Sequence, residues 1–196
     1  MLVAIVALAR IAAADPKPDR AVQEAGDANL ESESHRKGIT LQAAVGGGLI
    51  LGFGVDGVVG NGGSLGIRLG RVATEKSLVT LEANVVVPRH AVKATMGSET
   101  YIDADTSLLI GGQFYVNPAL YLRVAGGLGA YHGEHKQDGA VVQDIDLVGP
   151  AGAVGAGVEI IRFVRWAAGL EIFTTGMINR QGLISSSGFL ISVIVY

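Results

Sequence analysis

The stretch Phe114 to Tyr131, FYVNPALYLRVAGGLGAY, constrains the fold more than any other in the chain. Asn117-Pro118 is a tight turn signal between two alternating runs. After the turn, Leu120, Leu122, Val124, Leu128 and Ala130 share one parity. Tyr121, Arg123, Ala125, Gly127, Gly129 and Tyr131 share the other. Successive side chains of a strand point to opposite faces, so the run predicts a strand with one apolar and one small-or-polar face. Before the turn, Leu108, Ile110, Gly112, Phe114 and Val116 alternate with Ser107, Gly111, Gln113 and Tyr115, with Leu109 off the pattern. The two runs predict an antiparallel hairpin.

Composition says what lies beyond the apolar face. Hydrophobic residues make up 49% of the 196 residues and charged residues only 17%, against about 25% in ordinary soluble domains. The 29 glycines are well above the usual share. No run of about 18 apolar residues occurs, which argues against a membrane-crossing helix. Apolar content that is high but spread at period two suits a closed sheet facing lipid. A net charge of −3 argues against an electrostatic grip on nucleic acid. Without cysteine there is no disulfide framework, thiolate metal site or lipidated cysteine.

Read in order, residues 1–14 (MLVAIVALARIAAA) resemble an export signal, with a short apolar core and small residues before Asp15. Residues 15–37 are polar and mixed in charge, and predict a flexible periplasmic segment. The barrel is expected over 38–196. Strand one runs from Gly38 to about Val55, with Leu41, Ala43, Val45, Leu49, Leu51, Phe53 and Val55 outward. Later strands are expected near Ser64–Val72, Ser77–Val87, Tyr101–Val116, Ala119–His132, Val142–Glu159, Val164–Gly176 and Gly188–Tyr196. Pro150 suggests a bulge in strand six. That makes eight strands. Short connections near Ala73–Lys76, Asn117–Pro118 and Ile161–Phe163 alternate with longer ones at 56–63, 88–100, 133–141 and 177–186. Short periplasmic turns and longer external loops are the asymmetry of an outer-membrane barrel. A sheet in lipid cannot leave its edges unpaired, so strand eight must close on strand one. The fold class is all-β, an eight-stranded antiparallel up-and-down transmembrane β-barrel.

Three stretches carry a resemblance: NPALYLRVAGGLGAY (117–131), VRWAAGLEI (164–172) and the terminal VIVY. They resemble the small eight-stranded outer-membrane β-barrel family, the OmpA/OmpX-like and opacity-type barrel domains. The resemblance covers about Gly38–Tyr196. It implies outer-membrane location, contact with outer-membrane lipid and insertion by the barrel-assembly machinery. In that family a terminal aromatic belongs to an assembly signal. Leu190, Ile194 and Tyr196 fit its alternation here, while Ser192 departs from it. Phe189, Ile191, Val193 and Val195 are also apolar, which leaves the facing of strand eight open.

The inward parity carries Arg68, Glu82, Asp103, Arg123, Asp144, Arg165 and Glu171. Unpaired buried charge is costly, so opposite charges in the lumen are expected to pair. Arg68, Glu82, Arg123, Arg165 and Glu171 are the expected lumen network, filling a bore of this size with side chains. His132, Glu134 and His135 are a conceivable metal set, but they sit at a strand end with no near fourth ligand and read as solvated histidines. His90 with Ser98 forms no recognisable active-site motif. No GxxxxGK[ST] occurs, so the glycine clusters read as barrel curvature. Trp166, Phe53, Phe114, Tyr115 and Tyr131 are candidates for interface girdles. No enzyme activity and no cofactor is expected. The expected role is structural or surface-interactive through the external loops. The alternatives are a narrow solute channel and a soluble lipocalin-like barrel for an apolar ligand.

Overall fold

The computed structural model describes Arg36 and residues 38–55, 58–94, 97–138 and 140–196. The expected signal at 1–14 and nearly all of the segment at 15–37 lie outside the described residues. Side chains at 89–99 and 143 are also outside them. Eight strands follow one another: β1 (Ile39–Phe53), β2 (Val59–Thr74), β3 (Ser77–Ala94), β4 (Gly97–Tyr115), β5 (Leu120–Gln137), β6 (Ala140–Arg162), β7 (Trp166–Ile178) and β8 (Leu183–Val195). Each pairs antiparallel with its neighbours, and β1 pairs with β8 from Leu41↔Val195 to Phe53↔Leu183. The sheet is a closed barrel in simple sequence order, so every mid-strand backbone group has a partner without help from water.

The period-two pattern sets the faces. On β5, Leu120, Leu122, Val124 and Leu128 are exposed, while Tyr121, Arg123, Ala125 and Tyr131 are buried. Leu65, Ile67 and Leu69 on β2 and Val79, Leu81 and Val87 on β3 extend the same outward belt. On β5 the belt runs uncharged from Leu120 to Ala130, about the 9–11 residues a tilted strand needs to cross a bilayer. A soluble barrel turns its aliphatics inward. This one shows them to its surroundings.

Both ends of the barrel chain and the turns after β2, β4 and β6 lie at one end, called here the near end. Asn117 closes the β4–β5 turn, its side-chain oxygen accepting from the N–H groups of Ala119 and Leu120 at 2.9 and 2.8 Å. At the far end the strands are longer than hydrophobic patterning suggests. β3 runs on to Ala94, β4 starts at Gly97 and β5 continues to Gln137. The segments expected as loops at 88–100 and 133–141 are mostly hydrogen-bonded strand, as are Val59–Gly63 and Leu183–Ser186. The reason is physical. Beyond the belt a strand no longer needs an apolar face, so its hydrophobic periodicity fades while its ladder continues. β2 pairs with β3 only as far as Pro88, and β7 pairs with β6 only from Ala151. The outer parts of β3 to β6 therefore project beyond the rest of the wall as a four-stranded sheet.

Strand six is the longest, at 23 residues. Pro150 makes no bulge: it pairs with Leu128 and stands just before the β6–β7 ladder begins. The register shifts lie elsewhere, at Glu159/Ile161 against β7 and at His135/Lys136 against β6. Strand eight has a definite facing. Leu190, Ser192 and Ile194 are buried in the lumen, whereas Phe189, Ile191 and Val193 are exposed on the belt. The aromatic expectations divide. Phe53 and Phe114 are exposed and Trp166 stacks on Phe163 at 4.3 Å between centroids. Tyr115 and Tyr131 point into the lumen instead.

Candidate functional site: a charged ring in the lumen

The lumen has two halves of different chemistry. The far half holds a buried apolar cluster that includes Ile50, Val58, Val86, Leu109, Met177 and Ile184. The near half is built from charge. Four strands each contribute one residue to a ring of alternating sign: Arg68 from β2, Glu82 from β3, Arg123 from β5 and Glu171 from β7. Arg68 Nε lies 3.2 Å from Glu82, and Arg68 Nη2 lies 2.9 Å from Glu171. Arg123 Nη1 bonds the other oxygen of Glu82, and its Nε lies 3.2 Å from Glu171. All four side chains are buried, those of Glu82, Arg123 and Glu171 completely. Two cations and two anions cancel inside the ring, which is the condition for keeping ions out of water.

Neutral donors and acceptors add to the shell. Arg68 donates to the Gln42 carbonyl and, at 3.0 Å, to that of Gln113. Thr80 donates to Glu82 at 2.8 Å and Tyr121 to Glu171 at 2.7 Å. Tyr121 reaches Glu171 because its ring lies over Gly157. A Cβ at that position would sit 2.2 Å from the ring carbon that bears the hydroxyl. Removing the hydroxyl with Tyr121→Phe deprives a fully buried carboxylate of one donor. It is expected to cost about 1–3 kcal/mol, read as a lower temperature for loss of the compact folded band on a gel.

A second cluster closes the near end. Glu159 accepts from Tyr115 at 2.6 Å and from the terminal Tyr196. Arg36, which precedes β1, folds back over the Tyr115 ring, its guanidinium carbon 3.4 Å from the centroid. It lies 3.3 Å from Glu159 and donates to the Pro118 carbonyl. Arg162 stands 3.7 Å from the same carboxylate. Burial pushes the Tyr196 phenol above the ordinary tyrosine range, and the charge of Glu159 adds to this.

Four of the five expected lumen residues thus come together: Arg68, Glu82, Arg123 and Glu171. Arg165 does not. It is exposed in the turn between β6 and β7, where the Phe163–Trp166 stack interrupts the strand alternation. Asp144 is likewise corrected. It shares the outward parity of Asp146 and Val148 and is exposed. Leu190 and Ile194 lie on the inward face of β8, and Tyr196 joins the Glu159 cluster. Gln42, Gln113, Tyr121 and Glu159 were not singled out from sequence, although inward parity marks each of them. Arg36 had no such signal, because it lies outside any strand.

The histidine set rearranges too. His132 meets Asp146 at 2.8 Å and Asp144 at 3.6 Å across β5 and β6, on the exposed face above the belt. Glu134 pairs with Lys136 at 3.1 Å, and His135 stacks on Tyr101. The conceivable metal set of His132, Glu134 and His135 is therefore not assembled.

A closed up-and-down barrel of eight strands, with an apolar belt outside and paired charge inside, is the fold of the small outer-membrane β-barrels. No protein-family profile and no curated protein matches the sequence. Solved structures match the fold. Ail, the attachment invasion locus protein of Yersinia pestis, in complex with the heparin analogue sucrose octasulfate, gives a TM-score of 0.57 at 9% identity, over 81% of this chain and 98% of that one. Neisserial surface protein A gives 0.51 at 11% identity, over 81% and 97%. At such identities what is shared is the architecture.

Proposed function

We propose that the protein is an integral outer-membrane barrel with a structural or surface-interaction role and no enzymatic one. The observation that carries this reading is the continuous exposed aliphatic belt on a closed barrel. The near end then faces the periplasm and the projecting sheet of β3 to β6 faces outward, replacing the external loops as the interacting element. The belt meets outer-membrane lipid, and the barrel-assembly machinery inserts the chain. Leu190, Ile194 and Tyr196 are the residues proposed to be read during insertion, when β8 is not yet closed on β1 and presents both faces.

The test is fractionation of the expressed full chain with a heat-shift gel. The expected result is recovery in the detergent-extracted membrane fraction, with a compact band that shifts on boiling. Recovery in the aqueous fraction without detergent would sink the reading. The same preparation separates the channel alternative. With the charged ring and the apolar far half filling the bore, planar bilayers should show no discrete conductance steps.

A further inference from the structure

Four separate elements meet at the near end around one guanidinium. Tyr115 ends β4, Pro118 lies in the β4–β5 turn, Glu159 is on β6 and Tyr196 follows β8. The guanidinium is that of Arg36, ahead of β1, where an arginine would ordinarily be solvated. Here it is only 7% exposed. The turn into β1 allows this. Gly38 has a φ of +83°, a left-handed conformation that glycine adopts without strain, and its carbonyl accepts from the Val72 N–H at 3.0 Å.

Each contact suits a planar, forked cation. The guanidinium carbon lies 3.4 Å from the Tyr115 ring centroid and 5.8 Å from that of Tyr196, both within cation–π range. Nη2 donates to the Pro118 carbonyl and, at 3.3 Å, to the Glu159 carboxylate. A lysine ammonium could meet the carboxylate but could not stack flat on the ring. Charge neutralisation alone does not account for Arg36, because Arg162 stands 3.7 Å from the same carboxylate. The pocket is also connected inward. The Tyr115 hydroxyl donates to Glu159 at 2.6 Å and accepts from Gln113 at 2.8 Å, and Gln113 accepts from Arg68 of the ring at 3.0 Å.

We propose that Tyr115, Pro118, Glu159 and Tyr196 form a guanidinium-binding pocket at the near end, and that Arg36 is its intramolecular ligand. Filled, the pocket clasps the chain's entry into the barrel to its exit, because Arg36 and Tyr196 share Glu159. This rests on the reading that the near end faces the periplasm, where the clasp stops the mouth beneath the charged ring.

The full chain is folded in detergent micelles and verified by its heat-shifted band. That verification separates a failure of the barrel reading from a failure of this one. Arg36→Ala should still fold, since Arg162 remains beside Glu159, and its pocket is then open. The probe is a fluorescent synthetic peptide of residues 32–38, followed by anisotropy. It should bind Arg36→Ala saturably, and the intact chain at least about tenfold more weakly, because the tethered arginine competes at high effective concentration. Free arginine should displace the peptide, and lysine at the same concentration should displace it far less. Adding Tyr115→Leu to the Arg36→Ala chain should abolish binding. Should that double variant not fold, a peptide carrying Arg36→Ala must itself fail to bind. Overturning results are no saturable binding to the Arg36→Ala chain, equal binding to the intact chain, displacement by lysine as readily as by arginine, or binding of the peptide without its arginine.

Discussion

Arg123→Leu is expected to destabilise the folded barrel by about 3–5 kcal/mol, the cost of stranding a buried partner charge. Arg123 is fully buried and bridges Glu82 and Glu171. Without it the ring holds two carboxylates and only Arg68. The folded band should lose its resistance at a markedly lower temperature or urea concentration, while a change such as Arg165→Leu in the exposed turn should leave it nearly unmoved. The pair Arg123→Leu with Glu82→Leu separates charge from packing. Replacing both partners by apolar groups restores neutrality with Arg68 and Glu171, so most of the lost stability should return. Equal losses in the single and double variants would count against the ring as an electrostatic unit.

Gly46→Ala is expected to be nearly as damaging, by a different route. Gly46 sits on β1 opposite Leu190 of β8, at the seam where the barrel closes. A Cβ there would lie 1.8 Å from the backbone oxygen of Phe189. Backbone cannot rotate aside as a side chain can, so β1 and β8 must part locally and break ladder bonds that no water replaces inside a membrane. The expected outcome is loss of the heat-shifted band or a yield of folded protein reduced several-fold. Gly63→Ala is the matched control, since a Cβ there meets nothing within 4 Å. Comparable folding of the two variants would mean that the seam is not held as tightly as the geometry demands.

What could be read from sequence followed the lipid boundary. Inside the belt, alternation is enforced by two solvents, hydrocarbon outside and a crowded lumen inside. Leu120–Ala130, Arg123 and Glu82 were therefore legible as faces and as partners. Beyond the belt only one solvent remains, and Arg89–Ala94 or Gly133–Gln137 look like loops although both are paired with β4. Arg165 was misplaced for a related reason. Parity counted across a turn loses meaning, and the lumenal arginine near that turn is Arg162. Strand eight defeated parity in another way, because both of its faces are apolar. Its lumen face packs into the far apolar cluster, where Ile184 and Leu190 belong. The half-apolar lumen was hinted at only by Ile50 and Leu109 breaking the pattern.

The ring of Arg68, Glu82, Arg123 and Glu171 also bears on how such a barrel comes together. Its members sit on β2, β3, β5 and β7, one from each of four successive hairpins. An intermediate with β2, β3 and β5 in place but not β7 carries an unmatched charge on what will become its dry side. The two neighbours Arg68 and Glu82 can neutralise each other early, but Arg123 finds its second carboxylate only when β7 arrives. Partial barrels are thus penalised and the complete one is not, which makes closure cooperative: the chain is held back from settling as a stable half-cylinder and is driven to finish.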